Sequence, residues 1–257
     1  MTSPALSRFL VTGQCAVITG GGDGIGRAAS LLLAEAGAAV ADIDANRAAA
    51  AAVAAEITAR GGPAAAWAAD VSDEPGMERA LAEIAARFGH IDILINNAAI
   101  AIRADALSMP LEDWNKVVSV NLTGMFIAAR LAARHMRGHG GAVVNTASIV
   151  GLSGGLMPNI AYQTTKGGVV NMTRALALEW TGENIRVNAV APTYVRTNFI
   201  APLMADKARL DTILAATPMG RLAEPEEVAN AMLFLASPAA AMITGVILPV
   251  DGGFLAR

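Results

Sequence analysis

A glycine-rich segment near the N-terminus has the composition of a phosphate-binding loop, with the sequence Thr19-Gly20-Gly21-Gly22-Asp23-Gly24-Ile25-Gly26. Glycines allow a tight turn and a close approach of the backbone to a ligand, and the free N–H groups of the helix that follows can bind a pyrophosphate. The spacing is G-x-x-x-G-x-G, which differs from the G-x-G-x-x-G of the common dinucleotide fingerprint. The segment therefore indicates a dinucleotide site or, alternatively, a plain turn between a strand and a helix.

An acidic residue about 20 positions after the loop strengthens the first interpretation. Asp44 ends the second candidate strand, where a carboxylate can accept both ribose hydroxyls of NAD and repel the 2′-phosphate of NADP. Asp42 is a rival, because strand alternation sends both side chains to the same face. Asp44 is favoured because an unpaired carboxylate deeper in the strand is costly. With Asp23 as a further negative charge near the phosphates, NAD is the expected cofactor and NADP the less favoured one.

Tyr162 and Lys166 have the spacing of residues that share one helix face. A phenol has a pKa near 10, and a nearby ammonium favours the phenolate. Lowering that pKa by about three units corresponds to roughly 4 kcal/mol of differential stabilisation. The pair could therefore exchange a proton with an alcohol, although a tyrosine near a helix start is also compatible with a packed ring whose hydroxyl meets water.

Short apolar runs alternate with long amphipathic segments along the whole chain. The candidate strands are Ala16–Thr19, Ala39–Ile43, Ala64–Trp67, Ile91–Ile95, Ala142–Thr146, Arg186–Val190 and Val246–Val250. The candidate helices are Ile25–Ala36, Ala45–Arg60, Glu74–Phe88, Leu111–Met136, Tyr162–Thr181 and Pro225–Ala236. This alternation predicts an α/β domain of the doubly wound Rossmann type, with parallel strands joined by right-handed crossovers. Ligands then bind beyond the carboxyl ends of the strands.

Composition limits the classes of function. A chain of 257 residues suits one domain over residues 1–257, and the 54% hydrophobic content fits a sheet covered on both faces. The net charge of -3 argues against a nucleic-acid partner. The basic cluster near Gly138 is interpreted as structural, since cations offset a helix dipole there. No membrane span is expected, no metal site is assigned to His135 and His139, and the single Cys15 fits a reducing cytoplasm.

With Asn96-Asn97-Ala98-Ala99, Ser148 and Tyr162-Gln163-Thr164-Thr165-Lys166, the chain resembles the short-chain dehydrogenase/reductase family from Gly13 to Gly253. The resemblance implies a seven-stranded parallel sheet and often a homotetramer. It also implies hydride transfer between NAD(H) and a secondary alcohol or ketone, with a polyol or hydroxy acid among the expected substrates. The alternatives are an NADPH-dependent 3-oxoacyl reductase and a subunit that binds the dinucleotide without turnover.

The same resemblance suggests roles for individual residues. The expected catalytic residues are Asn121, Ser148, Tyr162 and Lys166. Asn121 would hold a water that links Lys166 to solvent, while Ser148 would donate a hydrogen bond to the reacting oxygen. The expected cofactor-binding residues are Gly20, Asp23, Gly24, Ile25, Gly26, Asp42, Asp44, Asp70, Val71, Asn97, Ala98, Tyr162, Lys166, Pro192, Val195 and Thr197.

Some of these assignments have structural alternatives. Asp70 and Val71 would flank the adenine, although Asp70 could equally cap a loop. Residues 193–218 are expected to cover the substrate. Their apolar side chains are either substrate contacts or helix packing, and the candidates are Phe199, Ile200, Leu203 and Met204.

Overall fold

A seven-stranded, wholly parallel sheet forms the centre of the computed structural model, which describes residues 4–256. Its order is β3-β2-β1-β4-β5-β6-β7, so the chain starts in the middle of the sheet, winds to one edge and then winds to the other. The strands are β1 (Cys15–Thr19), β2 (Ala39–Asp44), β3 (Ala64–Ala68), β4 (Ile93–Asn96), β5 (Gly141–Thr146), β6 (Ile185–Pro192) and β7 (Ile247–Val250).

Helices cover both faces of the sheet. They are α1 (Pro4–Ser7), α2 (Gly24–Glu35), α3 (Arg47–Ala59), α4 (Glu74–Phe88), α5 (Leu111–Val118), α6 (Met125–Met136), α7 (Ile160–Trp180), α8 (Ala201–Met204), α9 (Lys207–Ala216) and α10 (Pro225–Ala236). One apolar core joins α4, α6 and α7 to the sheet, and a second joins α2, α3 and α10 to the opposite face. Because both faces are buried, the central strands consist of continuous apolar runs.

The predicted fold class is confirmed, and every candidate strand and helix is present with ends shifted by at most a few residues. Residues that begin and end the helices explain this agreement. Asn46 caps α3 through its side chain, and Gly89 ends α4 with a φ of 90°. The sequence analysis did not anticipate α8 and α9, which lie within residues 193–218.

Residues Leu111–Met136 form one continuous helical segment in which a π-helical turn, Ser119–Gly124, joins α5 to α6. By length and composition alone this segment is apolar enough to cross a membrane. More than half of its apolar window, 56%, is buried inside the domain, as is usual for the core helix of a globular protein. We therefore interpret its apolar character as packing against the sheet.

The basic cluster at the end of α6 is engaged in ion pairs. The pairs are Arg130–Glu74, Arg134–Glu78 and Arg137–Glu183. These contacts tie α6 to α4 and to the turn after α7, in keeping with the structural interpretation of the cluster. Because the partners are partly exposed, each pair contributes little to the free energy of unfolding.

Candidate active site

A cavity of about 620 Å³ lies at the carboxyl ends of the strands, a size typical of small-molecule sites. The loops that follow β1 to β6 all contribute to its walls. The predicted residues that line it are Gly20, Asp23, Gly24, Ile25, Asp44, Asp70, Val71, Asn97, Ala98, Ser148, Tyr162, Lys166, Pro192, Val195 and Thr197. Gly26, Asp42 and Asn121 are not part of its lining.

The glycine loop has the geometry of a backbone cradle. Gly20 and Gly24 have φ values of 66° and 52°, in the left-handed region that disfavours residues with a Cβ. Gly26 lies below the loop, and a Cβ there would overlap the carbonyl oxygen of Gly20. The loop therefore turns directly into the N-terminus of α2, and the space left by the absent side chains fits a pyrophosphate.

The two rival aspartates occupy different environments. Asp44 faces the cavity, and its Oδ2 accepts a hydrogen bond from the Gly22 N–H at 3.1 Å. Asp42 is fully buried beneath Gly21, where burial raises the pKa of its carboxyl to about 7. Only Asp44 is therefore placed where a ligand in the cavity could meet it.

Asp42 forms a buried chain of hydrogen bonds with α2. The Ser30 Oγ lies 2.5 Å from the Asp42 Oδ1 and 3.0 Å from the Gly26 carbonyl oxygen. One hydroxyl proton can serve only one of these acceptors. Both bonds form when the carboxyl is protonated and donates to Ser30, while Ser30 donates to Gly26. Burial is the main cause of the raised pKa of Asp42, and a hydrogen bond donated by Ser30 opposes it.

Tyr162, Ser148 and Lys166 meet in the half of the cavity formed by β5 and α7. The Tyr162 side chain is half-buried and lines the cavity, and its hydroxyl is hydrogen-bonded to the Ser148 side chain. Lys166 is fully buried one turn later, with its Nζ 5.5 Å from the centre of the tyrosine ring. That Nζ donates to the Thr146 carbonyl oxygen at 2.6 Å. The ionisable hydroxyl of Tyr162 and the hydroxyl of Ser148 therefore lie together at one point of the cavity wall.

The predicted lowering of the Tyr162 pKa by Lys166 is wrong for this structure. Burial raises the pKa of the phenol to about 12, and the hydrogen bond from Ser148 and the charge of Arg103 only partly oppose it. Burial also lowers the pKa of Lys166 to about 7, and its amine points at a carbonyl group rather than at the phenol oxygen. Tyr162 is therefore protonated at neutral pH and able to donate a proton.

Asn121 lies in the π-helical turn and is fully buried. Its Oδ1 accepts from the Ile100 N–H and its Nδ2 donates to the Ile100 carbonyl, both at 2.8 Å. The amide thus fixes the backbone of the segment after β4, beside the cavity. Single π-turns within α-helices often occur at functional sites, because the extra residue redirects a side chain.

Two loops distant in sequence are linked across the cavity. The Asn198 Nδ2 donates to the Asp23 Oδ2 at 2.9 Å, and the Thr197 side chain packs against Gly24. Residues 193–218 therefore lie against the glycine loop. Among their predicted apolar residues, Phe199, Ile200 and Leu203 line the cavity, whereas Met204 packs among neighbouring helices.

Several cavity residues were not singled out by the sequence analysis. Arg103 follows β4 and lines the cavity together with Asn159, the residue that precedes α7. The Asn159 Oδ1 and the Thr193 Oγ1 are buried and have no hydrogen-bond partner. Neither Arg103 nor Asn159 belongs to the periodic apolar pattern of a predicted strand or helix. Within residues 4–256 no group of three or more metal-ligating side chains occurs.

Comparison with known proteins gives consistent matches over nearly the whole chain. Residues 20–255 match the family model described as enoyl-(acyl carrier protein) reductase. The chain is 44% identical to galactitol 2-dehydrogenase (L-tagatose-forming) of Cereibacter sphaeroides, over 96% of both chains. It is 43% identical to cis-4-hydroxycyclohexanecarboxylate dehydrogenase of Sinomonas cyclohexanicum, over 95% of this chain and 97% of that one.

One solved structure is similar to this chain in both fold and sequence. The gluconate 5-dehydrogenase of Burkholderia cenocepacia J2315, in complex with NADP and tartrate, superposes with a TM-score of 0.95 at 37% identity. The match covers 98% of this chain and 99% of that one. Fold and site thus define a dinucleotide-dependent oxidoreductase that acts on the CH–OH group of secondary alcohols. The chain belongs to the short-chain dehydrogenase/reductase family, and its relatives favour alcohol dehydrogenation over the oxoacyl-reductase alternative.

Stability should depend on pH through Asp42. Because the folded pKa of about 7 exceeds the ordinary value of about 4 for an aspartate, the carboxyl contributes stability that is present below about pH 4 and lost as the pH rises through 7. We expect Asp42→Asn to remove this dependence, so that above pH 7 it exceeds the parent by up to about 4 kcal/mol. Urea unfolding across pH at fixed protein concentration measures the difference. Asp105→Asn in an exposed loop is the matched control, and a parent whose stability rises between pH 4 and 7 relative to Asp42→Asn contradicts the assignment.

Proposed function

We propose that the protein transfers hydride between NAD(H) and a secondary alcohol or its ketone, the alcohol being a polyol or a hydroxy acid, with Tyr162 as the group that exchanges the proton. The observation that supports this most directly is the phenol of Tyr162, hydrogen-bonded to Ser148, in a cavity that also contains the glycine cradle. Screening polyols, hydroxy acids and simple secondary alcohols with NAD and NADP by nicotinamide absorbance tests the proposal. If none reduces either dinucleotide, the proposal fails.

The residues that follow β1 to β4 suit the adenosine and pyrophosphate parts of the dinucleotide. The cradle of Gly20 and Gly24 would receive the pyrophosphate, and Asp44 would accept the ribose hydroxyls. Asn97 fixes this region, since its amide reaches the Gly20 carbonyl and its Oδ1 accepts from Thr146. A dinucleotide held by these residues would supply the hydride acceptor for oxidation and the hydride donor for reduction.

The protein's own residues handle the proton. In oxidation the phenolate form of Tyr162 takes the proton of the substrate hydroxyl, while Ser148 donates a hydrogen bond to the same substrate oxygen. In ketone reduction Tyr162 donates that proton instead. Lys166 lies beneath the ring and contributes its charge when protonated. Phe199 and Leu203, from residues 193–218, line this end of the cavity and would cover a bound substrate.

The rate of alcohol oxidation should increase with pH. Since the pKa of Tyr162 is raised to about 12, the fraction of phenolate grows throughout the alkaline range, whereas ketone reduction should decline only as the pH approaches 12. Ser148→Ala removes a bond that lowers this pKa, so its profile should shift to higher pH, with kcat lower by about 10²-fold. Steady-state kcat/KM in both directions across pH measures this. An oxidation rate that falls from neutral to alkaline pH in correctly folded protein would sink the assignment.

The preference for NAD over NADP is part of the proposal and is supported by charge. Three carboxylates, Asp23, Asp44 and Asp70, line the half of the cavity formed by β1 to β3, and no Lys or Arg among residues 4–256 lines that half. A 2′-phosphate beside Asp44 would be repelled. The Burkholderia cenocepacia relative was solved with NADP, so the preference needs a direct measurement on this chain.

Replacing Asp44 should relax the cofactor preference. We expect the parent to use NAD with kcat/KM about 10- to 10³-fold above that for NADP, at roughly 1.4 kcal/mol per tenfold. Asp44→Ala should reduce the ratio at least about tenfold, because it removes both the ribose acceptor and the repulsive charge. Asp42→Asn is the matched control and should keep the ratio. A parent that uses NADP equally well, or a ratio that changes only in Asp42→Asn, contradicts the proposal.

We also propose a homotetramer, based on apolar side chains left on the outer faces of α6 and α7. Leu178 is 83% exposed and Phe126 is 40% exposed, and the edge strand β7 could form the second contact. Light scattering at micromolar concentration should give four chains, and Leu178→Lys should weaken this assembly. Leu107→Lys, on a fully exposed loop, is the control. A monomeric parent would refute the proposal.

A cytoplasmic location completes the proposal. It is supported by the single Cys15, which is buried and free and whose thiol pKa is raised to about 12 by burial. Such a thiol stays protonated and unreactive, and it needs no oxidising compartment.

A further inference from the structure

The charges that line the cavity are segregated along the sheet. The carboxylates Asp23, Asp44 and Asp70 lie in the half formed by β1 to β3. The other half, formed by β4 to β6 and α7, contains the cations Arg103 and Lys166. Since Lys166 is fully buried and bonded to the Thr146 carbonyl, Arg103 is the cation available to a ligand near Tyr162.

Arg103 lies close to the groups that handle the proton. Its guanidinium carbon is 5.8 Å from the centre of the Phe199 ring, and that ring is 5.7 Å from the ring of Tyr162. The charge of Arg103 lowers the pKa of both Tyr162 and Tyr194 against the effect of burial. A ligand whose alcohol carbon is at Tyr162 would therefore have its remaining atoms within reach of this cation.

The hydrogen-bonding capacity of Arg103 is largely unused. A guanidinium has five N–H donors. Within residues 4–256 its one hydrogen bond is a long contact of 3.4 Å from Nη2 to the Phe199 carbonyl oxygen, and no carboxylate lies at ion-pair distance. A contact of that length could help to hold residues 193–218 in place. It leaves the planar fork free for a carboxylate, the group that arginine binds in bidentate geometry.

A second polar atom in this half of the cavity needs a partner. The Asn159 Oδ1 is buried without a hydrogen bond, three residues before Tyr162. Buried polar atoms are normally satisfied, and an amide oxygen is satisfied by a donor such as a hydroxyl group. A ligand that carries both a carboxylate and additional hydroxyls would therefore complement this wall.

We propose that Arg103 is a specificity-determining residue that binds a substrate carboxylate, so that the preferred substrates are hydroxy acids, in particular polyhydroxy acids, rather than neutral polyols. This inference rests on the proposed alcohol dehydrogenase activity and narrows its substrate class. The carboxylate pairs with Arg103, a substrate hydroxyl donates to Asn159, and the alcohol that is oxidised lies at Tyr162. Phe199 lies between the cation and the tyrosine and sets the spacing between the two ends of the substrate.

The test compares acids with neutral substrates of matched shape. The probes are D-gluconate against sorbitol, and 4-hydroxycyclohexanecarboxylate against its carboxamide, with initial rates of NAD reduction at neutral pH. We expect kcat/KM for the acid to exceed that for its neutral counterpart at least about tenfold. Arg103→Gln should reduce this ratio by about 10- to 100-fold, as expected for loss of a charge-assisted pair. Arg103→Lys should keep part of this ratio. Arg60→Gln, a change at an exposed residue that ends α3 and pairs with Glu56, should keep all of it.

The outcomes separate this inference from the proposed function. If the parent oxidises the neutral probes as efficiently as the acids, the carboxylate assignment is overturned and the dehydrogenase proposal stands. If Arg103→Gln slows acids and neutral probes by the same factor, Arg103 only supports residues 193–218 and the inference is likewise overturned. If Arg103→Gln fails to fold, the inference is tested by two other results. The parent should prefer the acids, and Arg103→Lys should keep part of that preference. If no probe reduces the dinucleotide, the proposed function fails and the inference falls with it.

Discussion

Parallel pairing in register is the constraint on which the rest of the molecule depends. Thr19 pairs with Ile43 on one side and with Asn96 on the other, and Asn96 pairs in turn with Asn145. Because all strands run in one direction, the loops that follow them emerge along one edge and enclose one cavity. The glycine cradle, Asp44 and Ser148 come from widely separated parts of the chain, and this register alone brings them together.

Below the cavity the structure keeps polar groups that a purely stabilising core would lack. Asn96 donates to Asn145, which donates to Thr173, so a buried network connects the strands to α7. Lys166 and Asp42 are deeply buried, and burial moves both of their pKa values to about 7. Ionisable groups shifted toward neutrality beside a cavity are characteristic of functional sites. The regular fold around the site thus contains two ionisable groups whose pKa values burial has shifted.

The sequence predicts the sheet, the helices and most of the cavity because these depend on local periodicity and on motifs. It favoured Asp44 over its rival Asp42, but it could not show that Ser30, twelve residues before Asp42, is the hydrogen-bond partner of Asp42 or that Gly21 covers it. The direction of the Tyr162 pKa shift was missed because burial causes it, and how deeply a side chain is buried depends on the tertiary structure. Arg103 and Asn159 were missed because loop residues lie outside the periodic apolar patterns that identify helices and strands.

The central claim is that Tyr162 moves the proton while the neighbouring cradle holds the dinucleotide. Single-turnover oxidation of an alcohol by NAD-saturated Tyr162→Phe protein, followed by nicotinamide absorbance, tests it most directly. Phenylalanine keeps the ring packing against Phe199 and removes only the ionisable group. The account predicts retained NAD binding and a rate at least about 10²-fold below the parent. A rate within about tenfold of the parent in folded protein would mean that another group moves the proton.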